Sequence, residues 1–295
     1  MSKDALKIAI VQHSCTDNVE ANFEQIITGI EKAATQGAKL VVLPELHNTL
    51  YFCQTENTHH FDLAETIPGP STNELSTLAK DLEIVIVSSL FEKRAAGLYH
   101  NTVVVIDSDG EISGKYRKMH IPDDPGFYEK FYFTPGDLGF EPIQTSVGKL
   151  GVLICWDQWF PEAARLMALA GAELLIYPTA IGWEPDDDKA EKDRQLDAWV
   201  TVQRSHAIAN GLPLVSANRC GLEEDFSAQT KGIKFWGNSF ICGAQGEILA
   251  ESKQQPAIFT IEVNMTRTES VRRNWPFLRD RRTDAYYDLI RKYID

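Results

Sequence analysis

Apolar positions along the chain follow two spacings. Short unbroken apolar runs recur at residues 6–11 (LKIAIV), 39–46 (KLVVLPEL), 84–91, 101–106, 150–155 (LGVLIC), 173–177 (ELLIY), 214–218 and 257–263. Runs of that length, bounded by turn residues, predict buried strands, with Pro44 near the end of the second. Between them the spacing becomes helical. Residues 18–38 place Phe23, Ile26, Ile27, Ile30 and Ala34 on one face, and Gly37 suits the end of that helix. Residues 71–83 predict a second helix, with Ser71 as its N-cap and Glu74 at the capping-box position. Residues 161–170, 188–210 and, in the tail, 285–293 predict three more. The turns at 107–110 (DSDG) and 243–246 (GAQG) read as hairpins, joining 101–106 to 111–116 and 239–242 to 247–251. Residues 121–140 form a long loop rich in Pro, Gly and aromatics, and such loops in compact chains are usually functional.

Strands alternating with helices argue for a layered α/β fold, with chemistry at the strand ends. The second half echoes the first: KLVVLPEL resembles ELLIYPTA, and IDSDGEI resembles GAQGEIL. This points to internal pseudo-symmetry rather than a short repeat. No linker rich in Gly, Ser or Pro interrupts residues 1–265, which predicts a single domain; the Arg-, Trp- and Tyr-rich segment 266–295 continues from it.

Composition narrows the class. Of 295 residues, 43% are hydrophobic and 24% charged, as in a soluble globular enzyme with a large core. The net charge of -13 argues against a nucleic-acid or anionic-membrane partner and mildly favours a cationic ligand. The N-terminus lacks the apolar core of a secretory signal, and no run is long enough to span a membrane. The five cysteines are scattered, with no CxxC pair, so a reducing, cytoplasmic setting is expected.

Three reactive side chains stand at or just past strand ends: Glu45 after LVVLP, Lys118 in GKYRKMH, and Cys155 at the end of GVLIC. Each has a plain alternative. A charged residue leaving a strand ordinarily meets solvent, Lys118 lies in a basic run, and a free cysteine is usually a small buried hydrophobe. Together the three types make chemical sense. A thiol is a weak nucleophile until it loses its proton; a carboxylate can take that proton and return one to a leaving amine; an ammonium can hold an oxyanion. Two other hydrolase designs are open: a Cys–His pair using His47, His100, His120 or His206, and a metal site, for which the His59–His60 pair has no companion motif. A non-catalytic ligand-binding protein is the third class.

The segments VVLPEL, GKYRKMH and GVLICWDQWFPEAARLMALAGAELLIYPTA, in that order, resemble the nitrilase superfamily of carbon–nitrogen hydrolases over nearly the whole chain. The resemblance implies a four-layer αββα sandwich. It implies Glu45 as base and acid, Lys118 as oxyanion stabiliser, Cys155 as nucleophile, and the Trp156 N–H as a second oxyanion donor. Glu129, in PGFYEKFYFTPGD, matches a further family glutamate that orients the lysine and the substrate. The resemblance requires no cofactor and no metal, and it makes the chain a homo-oligomer built from dimers, with 266–295 as an interface arm.

Within the family, CWDQWFPEAAR and IPDDPGFYEKFYFTPGD are most similar to members that hydrolyse a small carbamoyl-amine with a cationic far end. Such an ammonium needs a carboxylate partner. Glu184 is the candidate, with Trp183 for apolar or cation–π packing and Asp186, Asp187 and Asp188 as rivals; an acidic run that merely starts a helix is the plain reading. His47 and His120, near Glu45 and Lys118 in sequence, are expected to border the pocket.

Overall fold

The computed structural model describes residues 5–225, 227 and 229–294; residues 1–4 and 295, the outer ends of the predicted domain and tail, lie outside the described residues. Along the chain these form β1 (Ala5–Gln12), α1 (Val19–Thr35), β2 (Leu40–Val42), α2 (Pro70–Leu82), β3 (Val85–Ala95), β4 (Leu98–Ile106), β5 (Ile112–Arg117) and α3 (Glu129–Tyr132). There follow β6 (Ile143–Thr145), β7 (Gly148–Val152), α4 (Pro161–Leu169), β8 (Leu174–Thr179), β9 (Gly182–Trp183), α5 (Lys189–Asn210), β10 (Leu214–Asn218) and β11 (Cys220–Glu223). The chain ends with β12 (Ile233–Trp236), β13 (Phe240–Cys242), β14 (Ile248–Glu251), β15 (Ala257–Asn264) and α6 (Arg267–Asn274).

Among the described residues, two six-stranded sheets have the orders β15-β1-β2-β3-β4-β5 and β6-β7-β8-β10-β13-β14. In the first, β1, β2 and β3 are parallel and flanked by antiparallel β15, β4 and β5. In the second, β7, β8 and β10 are parallel and flanked by antiparallel β6, β13 and β14. The two halves therefore have the same strand pattern. The internal echo in the sequence falls on equivalent strands, β2 with β8 and the β4–β5 turn with the β13–β14 turn.

Side-chain alternation produces the layers. On β1, Leu6, Ile8 and Ile10 join Val85, Val87, Val152, Ile176 and Val215 in the core between the sheets. The intervening Ala9 and Val11 meet Phe23, Ile26 and Ile30 of α1 and Leu75 of α2. On the far side, Ala163 and Met167 of α4 and Trp199 of α5 cover the second sheet. The result is the expected α-β-β-α sandwich. Both faces of the parallel strands are covered, which explains their continuous apolar sequences. None of the described helices is long and apolar enough to cross a membrane.

Several local expectations differ from the structure. Helix α2 is capped by Gly69, not Ser71. A Cβ on residue 69 would lie 2.1 Å from the Thr66 carbonyl oxygen, so the tight entry excludes a side chain there. The Thr72 hydroxyl accepts from the Gly69 N–H at 2.8 Å, and Glu65 accepts from the Ser71 N–H at 2.8 Å, doing the work assigned to Ser71 and Glu74. The predicted tail helix is two short 3-10 turns, Thr283–Ala285 and Tyr287–Ile290, while the regular helix is α6, further upstream. A third sheet, β11-β12-β9, was not anticipated, because strands of two to four residues carry too little pattern.

Candidate active site

The parallel strands end before the reactive residues. β2 stops at Val42 and β7 at Val152, so Glu45 and Cys155 sit on the turns beyond them rather than on the strands themselves. Cys155 opens a 3-10 turn, Cys155–Trp159, with φ +41°. A non-glycine residue rarely adopts that conformation, and such strain is typical where a side chain must be projected from a sharp turn. The Trp156 N–H lies in the first turn, where no intrahelical acceptor exists. Lys118 follows β5 directly, and its own N–H and carbonyl are held by the Asn101 carbonyl at 2.9 Å and the Gly136 N–H at 2.8 Å.

Tertiary structure brings these turns together. The Lys118 ammonium, fully buried, donates to Glu45 Oε1 at 2.8 Å and to Glu129 Oε2 at 2.6 Å. Asn101 Nδ2 also donates to Glu45 Oε1, at 2.6 Å, while Glu45 Oε2 is buried with no hydrogen-bond partner among the described residues. The Tyr51 hydroxyl donates to Glu129 Oε1 at 2.7 Å. The Cys155 thiol, 4% exposed, donates to the Ala180 carbonyl at 3.8 Å.

The electrostatics follow from burial and these neighbours. Burial alone would push the Lys118 ammonium down, but the Glu129 and Glu45 carboxylates outweigh it and hold its pKa well above the ordinary value. Burial, opposed by Lys118 and assisted by Glu45, pushes Glu129 up to about 7. Burial and then the Glu45 charge push the Cys155 thiol well above its usual range, against the pull of Lys118. These surroundings favour a protonated thiol on Cys155 and a charged ammonium on Lys118, beside a Glu45 oxygen that has no hydrogen-bond partner among the described residues.

A cavity of about 470 Å³ opens onto Cys155 and Glu129. Trp156, Trp159, Phe127 and Trp236 line its walls, and Asp124, Glu184 and Asp187 contribute carboxylates; among the described residues no Lys or Arg lines it. Glu184 is exposed and its carboxylate has no polar partner among the described residues, whereas Asp187 accepts from Gln195 at 3.1 Å.

Trp183, His47 and His120 lie elsewhere. The Trp183 ring packs on Trp236 with centroids 5.3 Å apart, and its indole N–H donates to the Lys192 carbonyl at 3.0 Å. His47 is buried against Ser88, Nε2 to Oγ at 2.7 Å. His120 stacks on Phe160, with Nδ1 2.7 Å from Asp157 Oδ1. None of the three lines the cavity. His100 and His206 are likewise engaged with the Thr134 and Gln158 carbonyls, at 2.9 and 2.8 Å, so among the described residues no imidazole is hydrogen-bonded to Cys155. Sequence reading missed Asn101, Tyr51 and Trp236. The signal for Asn101 was a polar residue opening an apolar strand; Tyr51 and Trp236 carried none.

An αββα sandwich with a Glu–Lys–Cys cluster at the strand ends defines a thiol-dependent hydrolase of carbon–nitrogen bonds. The carbon-nitrogen hydrolase family model matches residues 7–273, and the chain belongs to that family. It is an amidohydrolase acting on bonds other than peptide bonds. It is 44% identical to the N-carbamoylputrescine amidase of Solanum lycopersicum, across 96% of this chain and 94% of that protein. It is 43% identical to the citrullinase of Francisella tularensis, across 98% and 99%. A crystal structure of a carbon-nitrogen hydrolase from Helicobacter pylori is 55% identical, covers 98% of this chain and 100% of its own, and superposes with a TM-score of 0.96.

Proposed function

We propose that the protein hydrolyses N-carbamoylputrescine to putrescine, carbon dioxide and ammonia, with Cys155 as nucleophile. The observation that carries the substrate is the charge of the cavity: Asp124, Glu184 and Asp187 contribute to its lining, without a Lys or Arg among the described residues. An ammonium at the far end of a carbamoyl-amine fits that wall, with Glu184 as its partner. Citrulline has the same ureido group, but its far end carries an α-carboxylate beside its ammonium, and an acidic wall disfavours that added negative charge. Similarity to N-carbamoylputrescine amidases supports the same reading.

In the reaction, Glu45 takes the Cys155 proton as sulfur adds to the ureido carbon. Lys118 and the Trp156 N–H hold the oxyanion. Glu129 keeps Lys118 charged and aimed. Glu45 returns the proton to the leaving nitrogen, releasing ammonia and leaving a carbamoyl thioester on Cys155. Glu45 then deprotonates water, which adds to the thioester carbon; the thiolate leaves and is reprotonated. The N-carboxy amine that results loses carbon dioxide.

The residues of the tail support the interface-arm reading of 266–295. Trp275, Tyr287, Leu289, Ile290 and Tyr293 are exposed, Ile290 at 94%, as are Leu166 and Leu169 of α4 and Ile208 of α5. Exposed apolar side chains in such number suit burial against a second copy of the chain, giving a homo-oligomer built from dimers. Five free, buried cysteines suit a cytoplasmic setting.

The deciding experiment is ammonia release from N-carbamoylputrescine, citrulline, a neutral carbamoyl-amine, an ω-amide and a nitrile. Preference for N-carbamoylputrescine, lost in Cys155→Ala, is the expected result. Preference for citrulline with the same Cys155 dependence would retain the mechanism and overturn the substrate.

A further inference from the structure

Arg219 and Glu223 form a fully buried ion pair, Nη2 to Oε1 at 2.7 Å, and neither lines the cavity. A buried pair is a weak source of stability, because desolvation of both charges offsets their attraction. Its hydrogen bonds go instead to one stretch of backbone. Arg219 Nη2 donates to the Thr49 carbonyl at 2.6 Å and Nη1 to the Leu46 carbonyl at 3.5 Å. Glu223 Oε2 accepts from the Tyr51 N–H at 2.6 Å.

All three backbone groups belong to residues 46–51, which follow Glu45 and run outside any sheet ladder. Leu46 has φ +49°, so the chain turns sharply as it leaves Glu45. From this segment two routes lead into the site. Leu46 is bonded to Glu45. The Tyr51 hydroxyl donates to Glu129, and its ring is packed between Phe127 and Phe235, with centroids 5.4 and 5.6 Å away. Phe235 also lies 5.0 Å beneath the Arg219 guanidinium.

The geometry points to Arg219 and Glu223 as positioning residues for the reaction: by gripping residues 46–51, they set where the Glu45 and Glu129 carboxylates stand on either side of the Lys118 ammonium. This rests on the reading of Glu45, Lys118 and Cys155 given above. A charge pair suits the task because it holds two carbonyls and one N–H at once, where an apolar pair would leave the Thr49 carbonyl and the Tyr51 N–H unsatisfied and the Leu46 carbonyl with only the Thr49 N–H at 3.4 Å.

The test is steady-state ammonia release from N-carbamoylputrescine, across pH, by Glu223→Gln, Arg219→Lys, Tyr51→Phe and the Glu223→Gln/Tyr51→Phe double variant. Displacing reacting groups by about 1 Å costs on the order of 100-fold, so kcat should fall about 10- to 100-fold. KM should stay within about threefold, since substrate contacts are untouched. The Tyr51 hydroxyl favours the ionised form of Glu129, so its loss should move the acid limb of kcat/KM to higher pH, and Glu223→Gln should move it the same way. Losses in the double variant should be less than multiplicative, because both changes act through Tyr51. Folded variants with wild-type kcat and pH profile, changed only in Tm, would overturn the inference by making the pair purely structural. If Glu223→Gln does not fold, Arg219→Lys paired with Tyr51→Phe carries the same comparison. Cys155→Ala separates the two levels. Turnover there overturns the nucleophile assignment and this inference with it, whereas an inactive Cys155→Ala beside multiplicative losses overturns the positioning role alone.

Discussion

The Tyr116 hydroxyl donates to Asp157 Oδ2 at 2.8 Å, tying the strand that delivers Lys118 to the turn that carries Cys155. Asp157 is fully buried and also accepts from the Ile154 N–H at 3.0 Å and the His120 N–H at 3.0 Å. One carboxylate thus bridges the second sheet to the loop after β5. Its removal strands several buried donors. Asp157→Ala should destabilise the fold by about 3 kcal/mol, since each unsatisfied buried group costs on the order of 1–3 kcal/mol. Asp157→Asn, which keeps one acceptor oxygen, should cost less. Urea unfolding of both variants measures the difference; equal and small losses would remove the bridging role.

Cys155→Ala and Cys155→Ser should lower turnover by at least about 10⁴-fold, as loss of a nucleophile does in other hydrolases, with the fold unchanged by circular dichroism. Activity within tenfold of wild type in either variant would falsify the nucleophile assignment.

The Cys155 thiol is held well above its ordinary value by burial and by Glu45. The free enzyme should therefore carry little thiolate near neutrality. Alkylation of Cys155 by iodoacetamide should be slower than that of an unfolded cysteine and should still be rising at about pH 9, above the ordinary thiol range. A rate already flat near neutral pH would mean a preformed thiolate and a different activation scheme.

Glu184, like Asp124, is an exposed carboxylate of the cavity wall with no polar partner among the described residues. Glu184→Gln should raise KM for N-carbamoylputrescine about tenfold, the lower end of what a hydrogen bond to a charged group contributes, because solvent screens this position. KM for a neutral-ended carbamoyl-amine should hardly change. Equal effects on both substrates would pass the recognition role to Asp187 or Asp124.

Glu92 predicts how stability depends on acid. Burial opposes its ionisation, but the Arg117 guanidinium, the Lys115 ammonium and the Thr102 hydroxyl overcome that and lower its pKa from 4.5 to about 2. Arg117 grips both carboxylate oxygens at 2.7 Å. Because the folded value lies below the unfolded one, this contribution is present above the unfolded pKa and is lost as pH falls toward 2. Glu92→Gln should therefore lower the urea midpoint at pH 7 more than at pH 3. The same loss at both would mean that packing, not charge, carries the effect.

Much of this architecture was legible in the chain itself. Continuous apolar runs such as LKIAIV mark strands covered on both faces, and helical spacing marks α1, because burial periodicity is a local property of sequence. The repeated PEL and PTA segments and the two hairpin turns carry the pseudo-symmetry of the two sheets. Boundaries were less legible. Strand β2 ends at Val42 although the apolar pattern continues through Leu46, because the ladder ends where pairing partners do.

The sequence by itself determined the fold class, the family and the candidate reactive residues Glu45, Lys118, Glu129 and Cys155. Tertiary structure alone decided that one buried ammonium stands within hydrogen-bond reach of two carboxylates. It also decided that Tyr51 belongs with Glu129, and that Trp236 rather than Trp183 forms the cavity wall. The reason is physical. Spacing along a chain encodes which face of an element is buried, while contacts between elements far apart in sequence depend on how those elements pack.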